Sequence, residues 1–136
     1  MKIHNKVIKI SENIYEYDLH VCIGDYEWWL EYLRKHHGYV HRDQSSYGGE
    51  TILMSNSDGS YVLSIWMPDM EFTSKDYGTL AHELLHAAFF VMKEIGIQID
   101  ADNAEPLNYY FGYLMTETVY RLGQLHRKPS KKARKK

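Results

Sequence analysis

From Tyr77 to Gly96, apolar residues recur at spacings of three and four: Leu80, Leu84, Ala88, Val91 and Ile95, with Leu85 and Met92 beside them. An α-helix gathers such positions into one stripe, and other parts of the chain must cover that stripe. The ends are marked too. Thr73 and Asp76 fit a capping box, with Ser74 as an alternative cap. Gly96 follows the last periodic residue, where a left-handed stop belongs. The fold must therefore supply a second layer for this helix.

The opposite side of the same helix carries His82-Glu83-Leu84-Leu85-His86, with Phe89 and Lys93 continuing the histidine face. Residues four apart lie about 40° apart around the axis and one turn along it, so both imidazoles point the same way. Two neutral imidazoles so placed fill adjacent corners of a zinc tetrahedron, at roughly 2.0–2.1 Å each. Glu83 lies about 100° round from His82, off the ligand line but near enough to hold a zinc-bound water. His82 and His86 thus read as metal ligands and Glu83 as a general base. The bland alternative is a pair of surface histidines on a core helix.

The chain has 136 residues, of which 44% are apolar, enough for a single self-sufficient domain over residues 1–126. No apolar run is long enough to span a membrane, and Met1–Lys9 is too polar for a signal peptide. Cys22 is the one cysteine, so no internal disulfide forms, and a reducing cytoplasm is the expected location. The net charge of −2 conceals an asymmetry. Residues 127–136 hold seven of the 16 Lys and Arg, which leaves nine basic against 18 acidic residues in 1–126, or −9. That body repels phosphate, which argues against nucleic acid as a partner except through the basic tail, which is expected to be disordered.

The remaining segments predict an α+β domain: a small, mostly antiparallel sheet with three main helices packed on it. Lys6–Ile10 and Ile14–Ile23 alternate and flank a turn at Ser11-Glu12-Asn13. Asp25 caps a helix over Tyr26–His37, and Gly38 ends it. Residues 39–49 read as a loop. Glu50–Ser55 and Ser60–Met67 form a hairpin about Asn56-Ser57-Asp58-Gly59. Pro68 suggests an edge position for the second strand, and its alternation suits a half-covered one. The last helix runs over Leu107–Leu122, capped by Asp102 or Asn103, with Pro106 in its first turn.

Two histidines do not hold a catalytic zinc alone; a third protein ligand is needed, with one position left for water. A further histidine on the same helix is absent, because positions 89–92 are Phe89, Phe90, Val91 and Met92. Glu105, opening the last helix on a side shared with Tyr109, Gly112 and Thr116, is the preferred third ligand. Asp102, Asp100 and Glu117 follow, then His20 and His41. An acid at position 105 also suits a helix N-terminus for purely structural reasons. Tyr109, one turn on, is a candidate hydrogen-bond donor to an oxyanion, against the alternative of plain packing.

The run Gly78-Thr79-Leu80-Ala81-His82-Glu83-Leu84-Leu85-His86, with Glu105 opening another helix 19 residues later, resembles the zincin metallopeptidases. Within them it is similar to the gluzincin branch, and to small zincin-like proteins of bacteriophages and mobile elements. The resemblance covers roughly residues 50–122. It implies zinc as cofactor, His82, His86 and Glu105 as ligands, Glu83 as base, and a peptide or protein substrate. It also implies an edge strand above the cleft along which a peptide lies, for which Ser60–Met67 is the candidate. The chain departs from the family by its shortness, with no second domain to form the far wall. The other class of function considered is a non-catalytic binding module on the same fold, with structural metal or none.

Overall fold

The computed structural model describes residues 1–40, 48–56 and 58–127. His41 and the tail beyond Arg127 lie outside the described residues. Four strands and three helices follow in the order β1 (Lys6–Ser11), β2 (Asp18–Ile23), α1 (Tyr26–His37), β3 (Glu50–Ser55), β4 (Tyr61–Met67), α2 (Ser74–Glu94) and α3 (Glu105–His126). The domain is α+β, as expected. The sheet order is β1-β2-β4-β3, with antiparallel outer pairs and a parallel central pair, β2 with β4.

The period of two along each strand sorts its side chains onto two faces. Leu19, Val21 and Ile23 of β2 join Leu63, Ile65 and Met67 of β4 on the face covered by α2 and α3. Cys22, Val62 and Trp66 look the other way, onto Trp29 and Leu33 of α1. The sheet is therefore covered on both sides, which corrects the expectation of a half-covered strand at Ser60–Met67. That segment is not an edge either: β4 lies between β2 and β3, and β3 is the edge on that side. Among the described residues, no helix is long and apolar enough to cross a membrane.

The ends of α2 follow the sequence signals. Thr73 accepts a hydrogen bond from the Asp76 amide while the Asp76 carboxylate receives the Thr73 amide, a complete capping box. Phe72 and Tyr77, at the positions before the cap and four after it, touch edge to face and staple the entry. At the other end Gly96 adopts φ +80°. Its amide bonds to the Lys93 carbonyl and the next amide, Ile97, bonds to Met92. This is the Schellman arrangement that glycine permits.

The start of α3 differs from expectation. Its N-cap is Ala104, with no side-chain cap. Asp102 and Asn103 instead close the preceding turn, the Asp102 amide donating to Asp100 Oδ1 and Asn103 Nδ2 to the Gln98 carbonyl. Glu105 thereby becomes the first helical residue, followed by Pro106, and the helix runs one turn beyond Leu122, to His126.

Candidate functional site

His82 and His86 are exposed on α2, while Glu83 between them is 4% exposed and turned toward β3. The helix period produces this division: the histidines share one line, and Glu83 sits on the flank that packs against the sheet edge. The Nε2 atoms of His82 and His86 stand 3.2 Å apart, their rings crossing at 77°. Two ligands at the usual zinc–nitrogen distance and the tetrahedral angle have their nitrogens about 3.3 Å apart. The pair thus already has the separation a tetrahedral ion requires. Without an ion, a neutral ring donating to the other accounts for the same distance.

A cleft of about 430 Å³ opens beside the pair, lined by Gly48, Gly49, Lys75, Gly78, Thr79, His82 and Glu83. A second depression of about 390 Å³ continues along the start of β3, past Thr51 and His86 to Phe90. The chain presents the motif to solvent between the first half of α2 and the β3 edge.

The other sequence candidates among the described residues line neither cleft. Glu105 and Tyr109 are exposed on the first turns of α3, Tyr109 at 75%. Among the described residues, no set of three His, Cys, Asp or Glu ligand atoms within 4.8 Å of one another includes His82 and His86. Glu105 therefore does not complete a three-donor set with the imidazoles. His20 is ruled out by topology, since it faces α1 across the sheet, with its Nδ1 3.3 Å from the Tyr32 hydroxyl.

Compared with family models, with curated proteins and with solved structures, the chain matches none.

One three-residue set does exist among the described residues: His4, Asp25 and Asp69. His4 Nδ1 is 2.7 Å from Asp69, its Nε2 is 3.8 Å from Asp25, and Lys2 Nζ is 3.1 Å from Asp69. Burial alone would raise Asp69, but the hydrogen bonds from His4 and Lys2 outweigh it and hold the carboxyl below its ordinary range. The Lys2 ammonium already pairs with the Asp69 carboxylate of this cluster. With the Ile3–Met70 bridge beside it, the cluster acts as a polar staple for the N-terminal segment.

Sequence reasoning missed the residues that seat Glu83. Thr51 on β3 places its hydroxyl 2.9 Å from Glu83 Oε1, and Gly49 lies against the same carboxylate. The available signal was the glycine pair before a strand, which marks close backbone approach.

Proposed function

We propose that this protein is a small zinc-dependent hydrolase of peptide bonds. The observation that carries the reading is the 3.2 Å convergence of His82 Nε2 and His86 Nε2 beside a shielded Glu83 carboxylate. His82 and His86 are the first two ligands, and Glu105 is proposed as the third. No hydrogen bond among the described residues holds the Glu105 carboxylate, so its side chain is free to turn. Held there, a divalent ion would supply a water of lowered pKa and a Lewis acid for the substrate carbonyl. Glu83 takes the proton of the attacking water on a carboxylate oxygen and returns it to the departing amine nitrogen.

Substrate binding falls to β3. It is the edge strand beside the motif, and an extended peptide can add to it through main-chain hydrogen bonds, which tolerate varied side chains. This assigns to Glu50–Ser55 the role that the resemblance suggested for Ser60–Met67. The single thiol, Cys22, is buried, which suits a reducing cytoplasm.

Metal analysis together with cleavage assays tests the reading. Wild-type protein is expected to retain about one zinc and to cut unstructured peptides, whereas Glu83→Gln retains zinc and cuts none. Equal cleavage by both proteins would end the proposal. A second reading is favoured by one observation, the missing third donor among the described residues. On that reading the histidine pair is merely hydrogen-bonded and the fold serves as a binding module. Protein that retains no zinc after exposure to it would decide for the module.

A further inference from the structure

The Glu83 carboxylate is held by Thr51 on β3 and by Gly49 just before that strand, and not by its own helix. Thr51 Oγ1 lies 2.9 Å from Glu83 Oε1 and 3.0 Å from the Glu83 main-chain oxygen. A threonine hydroxyl has a single hydrogen, so it serves one of these oxygens at a time while staying in reach of both. The other carboxylate oxygen meets bare backbone. A methyl group at Gly49 would stand 2.9 Å from Glu83 Cγ and Oε2, and 3.1 Å from Cδ. Real carbon contacts are not that close, so any side chain at Gly49 would displace the carboxylate. Glu83 is only 4% exposed, packed where Thr51 and Gly49 meet its carboxylate.

We propose that Thr51 and Gly49 are positioning residues for Glu83: the hydroxyl fixes the rotamer of the carboxylate, and the absent side chain leaves it room. The kinetic consequence rests on the hydrolase reading, but the geometric claim does not. A base must lie within hydrogen-bond reach of the proton it takes, and misplacement by about 1 Å costs roughly a hundredfold in rate. The plainer alternative is that Thr51 only ties β3 to α2 through the Glu83 main-chain oxygen. Loss of the hydroxyl would then lower stability and leave the carboxylate where it is.

The two are separated by the three-bond couplings to the Glu83 β protons, measured by NMR on the metal-free protein. A fixed rotamer gives one large and one small coupling, whereas rotamer averaging gives two intermediate values. Wild type and Thr51→Ser are expected to show the fixed pattern, Thr51→Val the averaged one, and Gly49→Ala a changed one. In the zinc-loaded protein, the best-cleaved member of a quenched fluorogenic peptide library provides the kinetic readout. Thr51→Val should lower kcat by about 10- to 100-fold with KM changed less than about twofold, and Thr51→Ser should restore most of it. Wild-type couplings in Thr51→Val overturn the proposal, and so does an unchanged kcat. If Thr51→Val does not fold, Gly49→Ala decides, because it keeps the hydroxyl and its nearest clashes are with the Glu83 side chain; unchanged couplings there are equally fatal. If wild type cleaves nothing, the hydrolase reading falls while the couplings still judge the positioning claim.

Discussion

Acid should destabilise this protein through His20 before its carboxylates protonate. The imidazole sits on β2 with 9% of its surface exposed, under α1. Burial is the main reason its pKa falls from the ordinary 6.5 to about 4, and the neighbouring His37, Lys9 and His36 push it the same way. Lys9 is its register partner on β1, His37 lies 5.5 Å away ring to ring, and the nearest polar partner is the uncharged Tyr32 hydroxyl. No carboxylate is among the groups acting on it. The unfolded chain therefore takes up a proton near pH 6.5, whereas the folded one resists until about pH 4. Between those limits the unfolded state binds more protons, so stability falls as pH drops through the window and is unaffected by this group above it. A gap of about 2.5 units at 1.36 kcal/mol each amounts to about 3 kcal/mol, a large share of the 5–15 kcal/mol typical of a domain. Urea unfolding of wild type and His20→Gln at a series of pH values from 7.5 to 4 checks this. The two stabilities should converge as pH falls, the variant escaping about 2–3 kcal/mol of the loss. Parallel curves, or an NMR midpoint for His20 near 6.5, would refute the reasoning.

Other consequences are simpler to state. Gly96→Ala places a side chain at φ +80° and should cost about 1 kcal/mol, read as a lower thermal midpoint with zinc retention unchanged. Ser64→Ala removes the acceptor, 2.9 Å away, of the buried Trp29 indole N–H, and should cost about 1–3 kcal/mol by urea unfolding. Burial pushes the Cys22 thiol up to about 12, so a disulfide reagent at pH 8 should release no colour until denaturant is added. Glu12→Ala should be the most damaging of these exchanges, at about 3 kcal/mol or more. That carboxylate accepts the amides of Ile14, Tyr15 and Tyr17 and the Tyr110 hydroxyl, and all four would lose their acceptor.

Features of the fold set by neighbours in sequence were legible; those set by distant segments were not. The bounds of α1, the capping box at Thr73 and the stop at Gly96 are local steric and hydrogen-bonding matters, and each lies where the residues put it. Pro68 misled for an instructive reason. It stands just past Met67, the last paired residue of β4, where a missing N–H costs nothing. Such a proline reports where a strand stops and carries no information about which strands flank it. The parallel pairing of β2 with β4 depends on contacts between residues more than 40 apart, which no periodicity encodes. Glu12 shows the same limit. The connection expected at Ser11-Glu12-Asn13 lies at residues 12–17, because Ser11 still pairs with Asp18 and the second strand starts there, not at Ile14; only the arrival of Tyr110 from α3 shows that the Glu12 acid points inward.

The candidate site divides along the same line. Helix geometry puts His82 and His86 on one face, and the rotamers the two rings adopt there bring their nitrogens to 3.2 Å. Two donors are a weak metal site, however, and everything that could make this one selective or reactive is non-local. The seat of Glu83 comes from Thr51 and Gly49, more than 30 residues earlier. The proposed third donor, Glu105, lies at the start of α3, where Asp102 and Asn103 close their own turn and, among the described residues, no hydrogen bond holds its carboxylate. An acid spent on a capping box would have been fixed by its helix. One with no hydrogen-bond partner among the described residues pays little to turn toward a cation, so zinc affinity should depend on Glu105 far more than on Asp102. Zinc competition titrations of Glu105→Gln and Asp102→Asn compare them directly: a loss of 10-fold or more confined to the first supports Glu105 as a ligand. Equal affinities would leave the histidine pair without its acid.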